Sequence, residues 1–204
     1  MKIGLYFGTF NPIHVGHLII ANYMANFKGL DQVWMMVTPQ NPLKEKSGLL
    51  SDFHRLSLVK VAIEDNHKLK ASDVEFKLPI PSYTVTTLAY LKEKHPEHTF
   101  SLIMGEDNLR NFHKWFNHDV ILKNHEIYVY PRVFTIQEEE EIRANGALTE
   151  NPFAQHTHVH ICSDAPVMRI SASFIRQSIK DRKDIRYLLT EPVHQYIEEM
   201  HFYR

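Results

Sequence analysis

The stretch Gly8-Thr9-Phe10-Asn11-Pro12-Ile13-His14-Val15-Gly16-His17 constrains this chain most, because it sets a turn and two histidines between a strand signal and a helix signal. Before it, Lys2-Ile3-Gly4-Leu5-Tyr6-Phe7 is a short, mostly apolar run closed by Gly8, the pattern of a buried strand. After it, Leu18-Ile19-Ile20-Ala21-Asn22-Tyr23-Met24 is apolar and rich in helix formers, so a helix should begin near Gly16. Glycine lets a ligand come close to the backbone, and Pro12 stiffens the entry to the helix. A helix starting there aims unpaired N–H groups and the positive end of its dipole at the turn, which suits phosphate. His14 and His17 are three apart, so on a first helical turn both project to one side. From that side imidazoles can donate hydrogen bonds to phosphoryl oxygens and stabilise charge that develops during transfer.

Strand and helix signals alternate along most of the length, the sequence form of a parallel sheet covered by helices on both faces. Gln32 to Val37 reads as a second buried strand and runs into a proline-containing loop, Thr38 to Lys46. Ser51 caps a helix running toward Asp65. Lys70 to Phe76 reads as a third strand, and after Pro79 and Pro81 a helix opens at Ser82 and Thr84 and continues to Lys94. Thr99 to Met104 is a fourth strand broken by Gly105, and Glu126 to Tyr130 a fifth. Thr135-Ile136-Gln137-Glu138 has capping-box form at the head of an acidic helix, whose glutamates 138–141 read as a solvated face. Asn145 to Gln155 reads as a loop and His158 to Cys162 as a last short strand. Two helices finish the chain, from about Ala172 and about Pro192.

Composition removes several classes. A chain of 204 residues, 44% apolar, can bury a core as one domain. A net charge of −1 offers no basic field for general nucleic-acid binding. No apolar run approaches the roughly 20 residues that span a bilayer. The N-terminus enters a strand signal directly, which argues against a secretory signal, and Cys162 is the only cysteine, which excludes an internal disulfide and a thiolate zinc cluster. Cytoplasmic residence fits all of this, and a homo-oligomer is compatible with it. His156, His158 and His160 alternate at strand period and would share one face, though a metal there would need a further ligand. His95 and His98, flanking Pro96, read as loop residues without a specific role.

Ile170-Ser171-Ala172-Ser173-Phe174-Ile175-Arg176 is the second informative stretch. Ser171 is a favoured N-cap, so the segment offers another helix N-terminus. Ser173 and the first-turn N–H groups can bind phosphate oxygens, and Arg176 adds a planar, permanently charged fork. Together the two stretches carry a resemblance. Gly8-x-Phe10-x-Pro12-x-His14-x-Gly16-His17 is similar to the signature of the HxGH nucleotidylyltransferase superfamily, whose members join a nucleotide monophosphate to a phosphorylated acceptor. Ile170 to Arg176 resembles that superfamily's second signature, I-S-S/T-x-x-I-R, which contacts ATP phosphates.

Three further blocks resemble one family within it, the bacterial nicotinate mononucleotide adenylyltransferases. They are Pro81-Ser82-Tyr83-Thr84-Val85-Thr86-Thr87-Leu88, Met104-Gly105-Glu106-Asp107-Asn108-Leu109 followed by Trp115, and Tyr128-Val129-Tyr130-Pro131-Arg132. The resemblance implies an α/β, Rossmann-like fold in a single nucleotidylyltransferase domain over residues 1–204, with a small C-terminal helical part at about 172–204 packed onto it. It also implies transfer of AMP from ATP to nicotinate mononucleotide. His14, His17, Lys44 and Arg176 are then the catalytic set. Gly8, Thr9, Phe10, Gly16, Gly105, Asp107, Ile170, Ser171 and Ser173 face ATP, and Tyr83, Thr84, Trp115 and Arg132 face the acceptor. Nothing in the chain has the look of a dedicated magnesium cage, so Mg2+ is expected to arrive with ATP.

The chemistry stands beside the family. A pyridine ring bearing a carboxylate needs an aromatic face, which Trp115 can give, and N–H donors, which a helix starting near Tyr83-Thr84 can give. Asp107, after a strand-ending glycine, is placed to hold ribose hydroxyls or to cap a helix. Two positions depart from the family pattern: Leu43 stands where histidine is usual, and Thr86 where aspartate is usual. Nicotinamide mononucleotide and phosphopantetheine remain as alternative acceptors, and a nucleotide-binding regulator without turnover as an alternative class. Phosphopantetheine has no flat anionic ring and gives Trp115 and the Tyr83-Thr84 turn no purpose. A regulator gives no reason for His14, His17, Lys44 and Arg176 to occur together.

Overall fold

Alternating apolar runs and amphipathic helices resolve into one parallel sheet in the computed structural model, which describes residues 1–39, 48–131 and 151–204. The strands are β1 (Lys2–Gly8), β2 (Gln32–Val37), β3 (Leu69–Ser72), β4 (Thr99–Gly105), β5 (Ile127–Tyr130) and β6 (Val159–Ile161). They lie in the order β3-β2-β1-β4-β5-β6, and every neighbouring pair is parallel. The described helices are α1 (Val15–Phe27), α2 (Asp52–Ala62), α3 (Thr84–Lys94), α4 (Glu106–Arg110), α5 (His118–Asn124), α6 (Ala172–Lys180) and α7 (Glu191–Glu199).

Strands covered on both sides read as continuous apolar runs, because alternate residues enter two cores. In β2, Val33, Met35 and Val37 join a cluster with α1, α2 and the C-terminal helices, while Trp34 and Met36 join a second cluster with α3, α4 and α5. Trp34 is therefore core. Ser51 caps α2, its side chain accepting the His54 N–H at 3.3 Å. Pro192 sits in the first turn of α7, where a missing N–H is harmless.

Three boundaries differ from the sequence reading. The third strand stops at Ser72, and residues Val74–Lys77 form a 3-10 turn whose Phe76-to-Asp73 and Leu78-to-Glu75 backbone bonds replace ladder bonds. Helix α2 ends at Ala62, before Asp65. The last strand is only Val159–Ile161, because residues 151–158 close on themselves through Ala154-to-Asn151, His156-to-Phe153 and Val159-to-His156 bonds. Of the three alternating histidines only His160 is thus in a strand, while His156 and His158 lie in the preceding turn with ring centroids 5.6 Å apart. His158 Nδ1 lies 3.0 Å from the Leu122 carbonyl and His160 Nε2 lies 2.5 Å from Glu126, so the rings are held by different partners. The acidic helix expected from Thr135 lies outside the described residues.

Candidate active site

The strand order decides where a ligand can lie. Helix α1 leaves β1 toward the first core and α4 leaves β4 toward the second, so a crevice opens between the carboxyl ends of these adjacent strands. The β1–α1 loop and the Gly105–Asp107 turn meet there, although 90 residues separate them in sequence.

Close packing explains the loop's glycines. A Cβ on Gly8 would stand 2.8 Å from the ring of Phe10, which is buried and held at φ 45°. A Cβ on Gly16 would stand 2.5 Å from Ile170 Cγ2 and 3.1 Å from the His14 ring. At Gly16, then, the two phosphate signatures touch.

His14 is the N-cap of α1, in extended conformation, and its carbonyl accepts the N–H groups of His17 and Leu18 at 3.0 and 3.3 Å. Those of Val15 and Gly16 are left without intrahelical partners. The two imidazoles stack, with centroids 3.7 Å apart and planes 22° apart, and Phe10 and Tyr6 set their edges against His17. Both Nδ1 atoms are buried without a hydrogen bond among the described residues, which leaves Nε2 as the ring atom able to face a ligand. Burial pulls His14 down to a pKa of about 4, and burial together with neighbouring His14 holds His17 well below the usual imidazole range. Both rings are neutral near pH 7, and each still carries one N–H donor.

From the far end of the chain, α6 presents Ser171 as its N-cap, the hydroxyl accepting the Phe174 N–H at 3.2 Å. Arg176 folds back, as its place one turn into the helix suggests. Its Nη1 donates to the Asn11 carbonyl at 2.8 Å, across 165 residues of sequence, and its Nη2 to Ser173 Oγ at 3.2 Å. Gly105 caps α4, so Asp107 sits in its first turn and is not the cap residue. A Cβ on Gly105 would stand 2.5 Å from the Asp107 carboxylate and 3.2 Å from the Tyr130 hydroxyl. That hydroxyl is 3.2 Å from Tyr6, whose phenol is raised by burial, then by Tyr130 and Asp107.

Of the residues expected to face the acceptor, Tyr83 is the extended N-cap of α3 and Thr84 its first residue. The backbone bonds to Tyr83 start at Thr86 and Thr87, so the N–H groups of Thr84 and Val85 have no intrahelical partner. Trp115 is half-buried against Phe112, with centroids 5.4 Å apart. Thr86 is exposed on α3, so the departure from aspartate falls on a surface position. Lys44, Leu43 and Arg132 lie outside the described residues.

Four contributors were given no role in the sequence reading. Arg55 is fully buried, donating to the carbonyls of Thr9 (2.6 Å), Thr38 (2.9 Å) and Leu50 (3.2 Å) and to Asp52 (2.5 Å). It clamps the ends of the β1 and β2 loops together. Its signal was available, since it shares a helical face with Leu58 and Val59. Asn11 is a second such anchor. Glu75, also buried, accepts from Thr87 Oγ1 at 2.7 Å, and burial raises its pKa. Phe116, exposed, lies 5.0 Å from the Tyr83 ring. Among the described residues, His95, Glu97 and His98 are the one group of three side chains whose ligating atoms lie within 4.8 Å of one another. They precede β4, at the other end of the sheet from the crevice.

A strand–loop–helix turn at the switch point of a 3-2-1-4-5-6 sheet is the general form of a nucleotide-binding α/β protein. Residues 5–178 match the cytidylyltransferase-like family. The chain is 58% identical over 204 residues, the whole of both chains, to a probable nicotinate-nucleotide adenylyltransferase of Flavobacterium johnsoniae. It is 43% identical to that of Bacteroides thetaiotaomicron, covering 98% of this chain and 92% of the other. A Plasmodium falciparum nicotinic acid mononucleotide adenylyltransferase complexed with NaAD shares the fold at a TM-score of 0.76 and 20% identity, covering 99% of this chain and 97% of that one. The chain belongs to the nicotinate-nucleotide adenylyltransferase family within the cytidylyltransferase-like proteins. Among the described residues no helix is long and apolar enough to cross a membrane.

Proposed function

We propose that this chain transfers AMP from magnesium ATP to nicotinate mononucleotide, giving nicotinate adenine dinucleotide and pyrophosphate. The observation that carries the reading is the meeting of both phosphate signatures at one crevice, where Gly16 abuts Ile170 and Arg176 reaches Asn11. Family membership supports the acceptor.

The acceptor's phosphate monoester is ionised near neutral pH and needs no general base. Catalysis rests on positioning and on stabilising charge as it develops. Neutral His14 and His17 suit that role: each can donate a hydrogen bond without adding repulsion to a nearby cation. The α1 and α6 N-termini, with Ser171 and Ser173, hold phosphate oxygens, and Arg176 and Lys44 neutralise the polyphosphate. Asp107 takes ribose hydroxyls. Tyr83, Thr84, Trp115 and Phe116 hold the pyridine carboxylate, with Arg132 adding positive charge. Mg2+ comes as part of the nucleotide substrate. The cytoplasm, where ATP is made and used, is the compartment that fits.

Pyrophosphate release measured with magnesium ATP and each acceptor in turn tests the reading. Nicotinate mononucleotide should give the higher kcat/KM. Equal values for the amide, or a higher one, would sink the choice of the acid as acceptor.

A further inference from the structure

Asn11 stands at the middle of the phosphate loop, is 1% exposed, and uses every polar atom of its side chain. Its Oδ1 accepts from the Tyr203 hydroxyl at 2.9 Å and from the Leu50 N–H at 3.1 Å, and its Nδ2 donates to the Gly48 carbonyl at 3.0 Å. Its main-chain carbonyl receives Arg176. One residue thus joins the β1–α1 loop, the chain at 48–50, helix α6 and the C-terminal tail.

The tail is built to arrive there. After α7, the N–H groups of His201 and Phe202 bond back to Glu198 and Ile197 at 3.2 and 3.1 Å, and His201 and Tyr203 take left-handed φ values of 55° and 65°. L-residues adopt that region at a cost, so surrounding contacts must hold them. The Phe202 ring packs on His54 and Tyr196, with centroids 4.8 and 6.0 Å away, and Arg204 pairs with Glu198 at 2.7 Å. Burial raises the Tyr203 phenol despite nearby Arg176 and Arg55, so it stays a protonated donor.

The tail matters to catalysis because of what His14 and His17 lack. Among the described residues their Nδ1 atoms have no hydrogen-bond partner, so ring packing and the loop backbone set their orientation. Asn11 anchors that backbone three residues before His14. We propose that Tyr203 is a positioning residue for adenylyl transfer: its hydroxyl fixes Asn11, and through it the backbone bearing His14 and His17 and the seat of Arg176. The inference rests on the transferase reading above.

Tyr203→Phe in the full chain removes the hydroxyl and keeps the ring. Its kcat per folded molecule should fall about 10-fold, the scale of a small misplacement of reacting groups, with KM for ATP changed less than about twofold. Because Tyr203 acts through the Asn11 and Arg176 contact, Tyr203→Phe combined with Arg176→Lys should lose less than the product of the single losses. Arg204→Ala, which frees the tail's outer tether only, should keep normal kcat. A Tyr203→Phe enzyme with kcat within twofold of wild type overturns the inference. So do multiplicative losses in the double variant, an equal kcat loss in Arg204→Ala, or a Tyr203→Phe chain that no longer melts cooperatively, which would make the hydroxyl structural. A wild type that releases pyrophosphate with neither acceptor fails the transferase reading instead.

Discussion

Around His14 the chain is dry and tied down, whereas around Tyr83 it is open. His14 is 5% exposed, and its loop is held by bonds from Leu50, Arg55, Arg176 and Tyr203. Tyr83 and Phe116 are 37% and 56% exposed and touch each other across two helix-flanking turns. The difference fits the roles proposed for the two ends. Donors aimed at developing charge are worth most when they are desolvated and already in place. A flat ring gains from an aromatic face only when it covers that face, so a face proposed to take the acceptor's ring is expected to be exposed in the free protein.

If the buried end supplies transition-state stabilisation, His17→Ala should lower kcat about 10²- to 10³-fold, roughly 3–4 kcal/mol, with KM for ATP little changed. A variant with near-normal kcat would erase the contrast, leaving His17 as packing for Phe10 and Tyr6.

Acid should expose the same burial. An imidazole held near pKa 4 binds fewer protons folded than unfolded, where it titrates near 6.5. Its full contribution to stability is present above about pH 6.5 and is lost as the pH falls toward 4. By pH 4.5 the ligand-free protein should lose about 2–3 kcal/mol through His14 alone. Denaturant melts of wild type and His14→Asn at pH 7 and 4.5 measure this, and equal acid losses in the two would contradict it.

Arg176 lies between the two regimes, half-buried with both arms of its fork bonded. Arg176→Ala should reduce kcat/KM for ATP about 10- to 100-fold, and Arg176→Lys should recover only part, since lysine restores charge without the fork. Normal turnover in both variants would make it an ordinary surface ion, worth at most about 1 kcal/mol.

At the open end effects should be smaller and fall on binding. Phe116→Ala should raise KM for nicotinate mononucleotide about 3- to 10-fold, the worth of one aromatic contact, with kcat and KM for ATP unchanged. A kcat loss as large as that of His17→Ala would show that the two ends do not divide the work.

Helix and strand runs were legible wherever one period dominated. β2 (Gln32–Val37) falls where its apolar run lies, and Ser51 and Ser171 cap the helices they open. The third strand ran too long because Val74 and Phe76 keep strand chemistry while Glu75, turned inward to Thr87, bends the chain. His156 and His158 misled similarly, since a period-two pattern over five residues does not decide between strand and turn.

The sequence by itself determined the chemistry on offer: which groups can donate to phosphate, which helix N-termini they sit on, and that a tryptophan able to stack on a flat ring follows a strand-ending glycine. Those are local facts, fixed by residue type and spacing. Only the tertiary structure decided that Gly16 meets Ile170, that Arg176 and Tyr203 end on Asn11, and that Arg55 is buried among carbonyls. The physical reason is that these contacts join segments up to 192 residues apart. Nothing in the local spacing of either partner carries the identity of the other until the strand order brings them to one crevice.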